Sequence, residues 1–209
     1  MVNVLLIITN LVFFGYELSL GRHLDYYIFT HALIPLQFNE VGFVPEQIAR
    51  LTTSMFLHGG WFHVLGNMLY LWIFGDNVED RLGHFKYLIF YLLTGYVATL
   101  SHVLLYPLSD VPLIGASGAV AGILGAYLIL YPRARVLTLV ILFVFIQIVS
   151  IPAVVFLGIW FLLQLLSGVA GLSSQAVQGV AFWAHVGGFI AGMLLVVLFA
   201  RREGTPRYY

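Results

Sequence analysis

The sequence predicts an all-α, polytopic membrane protein, and three observations carry that reading. Of its 209 residues, 61% are hydrophobic and only 9% are charged. Ordinary soluble domains carry about 25% charged residues, so this chain has too few to cover a water-facing surface. Apolar runs of bilayer-crossing length recur from one end to the other. A net charge of zero argues against a nucleic-acid footprint. The absence of cysteine removes disulfides, thiolate metal sites and cysteine nucleophiles from consideration. The length leaves room for one helical bundle without a separate soluble domain.

Taken in order, hydropathy places spans at about residues 2–20, 61–75, 87–107, 114–132, 151–168 and 179–200. The first follows the start of the chain directly, without a basic region before it or a small-residue cleavage site after it. It therefore reads as a retained helix rather than a signal peptide. The second is short but extends outward through Met55 and Phe56. A further run, 136–149, has the length of an interfacial or re-entrant piece, and Pro152 separates it from the fifth span. Counting six spans from a cytoplasmic start puts Arg81, Lys86, Arg133, Arg135, Arg201, Arg202 and Arg207 inside, leaving Arg22 and Arg50 outside. A seventh span would send Arg201 and Arg202 outward, against the positive-inside bias.

Two connections lie on the outer side. Residues 21–60 carry Tyr26, Tyr27, Phe29, Phe38 and Phe43, which suit the headgroup level, and Arg50 reads as an anchor for this loop. Residues 169–178 read as a small, polar, flexible link. His23, His31, His58, His84 and His102 read as solvated residues of loops and interfaces, and Asp76–Arg81 as a solvated cytoplasmic turn.

Polar groups inside spans are costly, so each needs a partner or a purpose. Ser117 lies about one turn into the fourth span, and His185 about two turns into the sixth. His63 and Asn67 share one face of the second, four residues apart. All four come to a similar shallow depth below the outer surface. A serine hydroxyl becomes a nucleophile when a base takes its proton, and histidine suits that task near neutral pH. The acidic residues lie in loops or at span ends, apart from Glu17 in the first span, so the expectation is a Ser117–His185 dyad without a third acidic member. His63 and Asn67 can donate hydrogen bonds to the oxyanion of a tetrahedral intermediate, beside the Ser117 N–H. Gly118 and Gly122, with Gly188 and Gly192 in the sixth span, let two helices approach closely enough for the dyad to meet. Taken singly, each has a plainer reading: Ser117 bonded to its own helix, His185 as a proton relay or packing residue, Asn67 as interhelical glue.

These residues sit in stretches that resemble the rhomboid family: Phe56-Leu57-His58-Gly59-Gly60-Trp61-Phe62-His63 continuing to Asn67, Gly115-Ala116-Ser117-Gly118, Ala184-His185 with Gly188 and Gly192, and Gly75-Asp76-Asn77-Val78-Glu79-Asp80. The resemblance implies a six-helix bundle that cleaves transmembrane protein substrates near the outer face, without cofactor or metal, in a prokaryotic inner membrane with both termini cytoplasmic. It carries Ser117 and His185 over as the dyad and His63 and Asn67 as oxyanion donors. Trp160 and Phe161 of the fifth span, with the 169–178 link, resemble a mobile gate. Two departures stand out. Ala49 precedes Arg50 where the family often has Trp, and Ala121 replaces an aromatic that packs on the histidine. Another group must then orient His185, with Trp183 or a small-residue contact as candidates. The competing readings are a rhomboid-like binder that does not cut and a small proton-coupled transporter. The chain has neither an H-E-x-x-H zinc motif nor paired intramembrane aspartates.

Overall fold

The computed structural model describes residues 1–142, 145–174 and 180–200. Among these residues ten α-helices and one hairpin follow in order: α1 (Val2–Ser19), α2 (Leu24–His31), α3 (Pro35–Val41), α4 (Pro45–Thr53), α5 (Trp61–Tyr70), α6 (Asp76–Leu82), α7 (His84–Leu105), α8 (Ser117–Leu130), β1 (Arg135–Leu142), β2 (Phe145–Pro152), α9 (Ala153–Ser174) and α10 (Phe182–Phe199). Among the described residues, α1, α7, α9 and α10 are long and apolar enough to cross a membrane, while α8 is apolar but shorter. Arg201, Arg202 and Arg207 lie outside the described residues.

Helix α8 is the centre of the bundle. Every residue from Ala119 to Ala126 is buried, and the residues Ala, Gly and Val there leave few ridges to hold neighbours away. A Cβ on Gly118 would strike Ala98, and one on Gly122 would strike Thr94, both on α7. On the other side, a Cβ on Gly188 or Gly192 of α10 would overlap the carbonyl oxygens of Gly118 and Gly122. The backbones of α8 and α10 therefore touch directly, as small residues permit in a membrane. At 14 residues, α8 is about 21 Å long. The hydrocarbon core measures about 30 Å, so one end of α8 remains submerged when the other reaches a face.

Helices α5 and α6 form one rod interrupted by a π-turn at Leu71–Gly75. The Asn3 side chain donates to the Leu71 carbonyl at 2.9 Å, and the Tyr87 hydroxyl donates to Asn3 Oδ1 at 2.8 Å. Below this turn, the buried Glu79 carboxylate accepts from the backbone N–H of Val2 (2.7 Å) and Asn3 (2.8 Å), from the Met1 ammonium (3.0 Å) and from His84. Burial alone would raise the Glu79 carboxyl, but these donors outweigh it and bring it from its ordinary 4.5 down to about 2. The turn expected to be merely solvated thus clamps α1, α6 and α7 together.

The run read as an interfacial or re-entrant piece is an antiparallel hairpin, pairing Arg135 with Pro152 and Leu142 with Phe145. Nine of residues 136–151 are Val, Ile or Thr, whose branched side chains suit a pleated strand better than a helix. Arg135 closes the base by donating to Ser150 Oγ (2.8 Å) and to its carbonyl (2.7 Å). A two-stranded ribbon leaves its outer backbone groups unpaired, which lipid-exposed hydrocarbon does not tolerate. Residues 169–174, expected in a flexible link, instead continue α9; 175–178 lie outside the described residues.

The segment 21–60 folds into α2, α3 and α4 rather than an open loop. Tyr26, Phe29 and Phe43 are exposed as expected, but Phe38 is buried against Leu33, Leu51 and Val103. Arg50 joins α4 to α3 by donating to Gln37 (2.6 Å) while pairing with Glu46 (2.8 Å). Backbone bonds from Leu36 to Ser109, Leu113 to Leu33 and Gly115 to Ser54 fasten the strip before α8 to this segment.

Candidate active site

Ser117 is the first residue of α8, not one turn inside it. The first intrahelical bond runs from the Val120 N–H to the Ala116 carbonyl, so the N–H groups of Ser117, Gly118 and Ala119 lack acceptors within the helix. They give this end partial positive charge. His185 is the fourth residue of α10, because that helix starts at Phe182 rather than near 179. Its Nε2 lies 2.8 Å from Ser117 Oγ. The backbone contact between α8 and α10 produces this meeting: with side chains at Gly188 or Gly192, the helices would stand further apart.

The two polar residues of α5 gather beside the serine. Gly115 has φ +115°, and a Cβ there would lie 2.5 Å from His63 Nε2 and 3.7 Å from Asn67 Nδ2. Only glycine fits a backbone of that kind with so little room. His63 Nδ1 accepts from the Gly59 N–H at 3.4 Å, so its proton sits on Nε2, the atom facing Gly115. The Asn67 amide donates one N–H to His58 Nε2 at 3.1 Å. Its second N–H is left for the site. Two donors therefore converge on the backbone at Gly115, two residues before Ser117.

His58 is not the solvated residue expected. It is 1% exposed, supports Asn67 through Nε2, and holds its Nδ1 against the Phe56 carbonyl at 3.3 Å. Its backbone N–H donates to both oxygens of the buried Glu17 carboxylate, at 3.1 and 3.2 Å. Glu17 thus fixes the turn that carries His58, and is far removed from the role of a third member beside His185. His102 departs from expectation as well: it is half-buried, packs on Tyr106 at 4.9 Å and lines the site. His84 faces Glu79 instead of water alone.

His185 is held by a group that the sequence marks only faintly. Its Nδ1 lies 2.8 Å from Gln164 Oε1 on α9. Trp160, one turn earlier on the same helix, tilts over the imidazole at a centroid distance of 6.0 Å, and Phe182 meets it edge-on at 6.4 Å. Trp183, one of the two substitutes considered for the ring missing at Ala121, instead packs on Gly168. Ala121 itself is fully buried inside α8. A signal for Gln164 existed in the sequence: it is a lone amide in an apolar run, four residues after Trp160 and four before Gly168.

Ser117, His185, His63, Asn67, Gln164 and Trp160 open onto one cavity of 1260 Å³. Its walls are mainly apolar, with the polar groups gathered at one point, as binding clefts are built. Among the described residues, no cluster of His, Asp or Glu is arranged to hold a metal ion. The assembled chemistry is a hydroxyl bonded to an imidazole, with N–H donors converging alongside.

Comparison with known proteins agrees with the architecture. The rhomboid domain matches residues 45–202. The chain is 30% identical over 160 residues to Rhomboid-like protein 11, chloroplastic, of Arabidopsis thaliana, covering 73% of this chain and 52% of that one. It is 31% identical over 163 residues to RHOMBOID-like protein 1 of the same plant, covering 78% and 36%. With Rhomboid protein 1, mitochondrial, of Saccharomyces cerevisiae, it shares 33% over 147 residues, covering 68% and 39%. The chain spans about half or less of the length of these relatives. With its apolar helices and a family match over most of its length, the chain belongs to the rhomboid family and is an integral membrane protein.

Proposed function

We propose that this protein is an intramembrane serine endopeptidase that cleaves transmembrane segments of other membrane proteins. The observation that carries the reading is the 2.8 Å contact between Ser117 Oγ and His185 Nε2 at the free N-terminus of α8. In this reading His185 takes the serine proton as Oγ attacks the scissile carbonyl carbon. The oxyanion is met by His63 Nε2–H, Asn67 Nδ2–H and the N–H of Ser117, which has no acceptor within its own helix. His185 then returns the proton to the departing amine. A water deprotonated by the same imidazole attacks the acyl-enzyme, releasing the second product and restoring the serine.

The dimensions of α8 support a submerged site. Ser117 is at the end of a helix too short to reach both faces of the bilayer. The distribution of Arg and Lys supports placing that end toward the outer face, with both termini cytoplasmic, in a multi-pass protein of six spans; a prokaryotic inner membrane is what the family resemblance alone implies. The chemistry needs no cofactor.

Labelling of the purified protein by a fluorophosphonate, with cleavage of a helical transmembrane substrate measured alongside, tests the proposal. Wild type is expected to label and to cut, and Ser117→Ala and His185→Ala to do neither. A Ser117→Ala variant that cleaves as wild type does would end the protease reading. Capture of membrane helices without cleavage would leave the chain a binding protein.

A further inference from the structure

We propose that Gln164 is a positioning residue for His185, so that the base is oriented by helix α9 and is competent only while α9 is seated. This inference rests on the protease reading.

The argument begins with the tautomer. To accept the Ser117 proton, Nε2 must present a lone pair, which places the imidazole proton on Nδ1. That N–H needs an acceptor, and Gln164 Oε1 stands 2.8 Å away. In the alternative tautomer Nε2 would carry the proton and have nothing to take from serine. The amide oxygen therefore selects the reactive form and fixes the ring plane, as the carboxylate does in an ordinary triad. Being neutral, it orients without supplying a counter-charge.

The position of Gln164 gives the contact a second meaning. Ser117, Gly115, His63 and Asn67 all lie on α8, α5 and the strip between α7 and α8, whereas Gln164 and Trp160 come from α9. Helix α9 holds to α10 through the stacked pair Phe161–Phe189 at 4.8 Å and the seat of Trp183 on Gly168. Much of its remaining surface faces away from the protein, with Leu162, Leu163 and Leu166 all more than half exposed. Any outward displacement of α9 that admits a substrate helix withdraws the acceptor from Nδ1. The return of α9 restores it, so the proton-accepting tautomer is enforced at the moment the cavity closes.

The test uses the full-length protein in detergent or liposomes with Gln164→Met, which keeps the stem and volume but removes the acceptor, and Gln164→Glu, which keeps an acceptor oxygen. For Gln164→Met, kcat is expected to fall at least about tenfold to a hundredfold, the range seen when a metal-bound histidine loses the partner of its other ring nitrogen. KM should stay within about twofold and the fluorophosphonate labelling rate should fall with kcat, as for an interaction absent from substrate binding. Gln164→Glu should recover most of that loss. Wild-type rates in Gln164→Met, or equal damage in the Met and Glu variants at unchanged Tm, would overturn the proposal. Ser117→Ala, run in parallel, separates the two ideas. Its continued cleavage would remove the protease reading itself, whereas its inactivity beside an unaffected Gln164→Met removes only the role of Gln164.

Discussion

The two walls of the site are built differently. On one, α8 lies between α7 and α10 with backbone against backbone, and 39% of the α10 span is buried. On the other, α9 leans on α10 through a few rings, and only 17% of its span is buried. The closely packed wall carries the serine, the histidine and, through the strip held to Ser54, the glycine facing both α5 donors. The loosely packed wall carries Gln164 and Trp160. In the protease reading, rigidity is concentrated where reacting atoms must be held within tenths of an ångström, and freedom is left where a polypeptide has to pass.

Glycine substitutions break the comparison most sharply. Gly188→Ala or Gly192→Ala drives a methyl into a carbonyl oxygen of α8 that cannot move aside. A loss of about 3 kcal/mol or more is expected, with little folded protein recovered, as measured by thermal unfolding in detergent. Next come the proposed oxyanion donors. Asn67→Ala should lower kcat by about 10²–10³, roughly 2.7–4 kcal/mol, with the fold retained by circular dichroism. A stability cost far larger than the catalytic one would show that Asn67 acts mainly through its bond to His58.

Acid probes the clamp at the far end of the packed wall. Because the folded Glu79 carboxyl is held near 2 and its ordinary value is 4.5, its contribution is complete above about pH 4.5 and is lost as pH falls toward 2. Glu79→Gln should therefore be less stable than wild type at neutral pH, with a flatter stability profile across that window. Smallest of all is Gly158→Ala on α9, where an added Cβ meets nothing within 4 Å. It should leave activity unchanged and stabilise the helix by about 0.5–1 kcal/mol. A large loss there would show that α9 is packed more tightly than its exposed surface implies.

Much of the packed wall could be read directly from residue order. Apolar runs give the helices, and Ser117, His63, Asn67 and His185 stand out because hydrocarbon makes polar groups expensive. The loosely packed wall was harder. Gln164 resembles any interhelical amide until the ring nitrogen it faces is known, and that neighbour lies 21 residues away on another helix. The hairpin was hidden because a short, largely apolar run has no period to separate strand from helix, leaving only its branched residues as a clue. His58 looked solvated because nothing local reveals that Glu17, 41 residues earlier, draws its backbone inward.

The π-turn at Leu71–Gly75 has a consequence of its own. Each α-helical residue advances the rod by about 100°, so one extra residue in a widened turn rotates everything below it by that amount. That offset lets a single rod face the serine with His63 and Asn67 above, and grip the start of α1 with Glu79 below. Removing one residue from the turn would swing the lower half away from its clamp while leaving the upper face where it was. Chemistry and anchorage on this rod are thus held in phase by a single inserted amino acid.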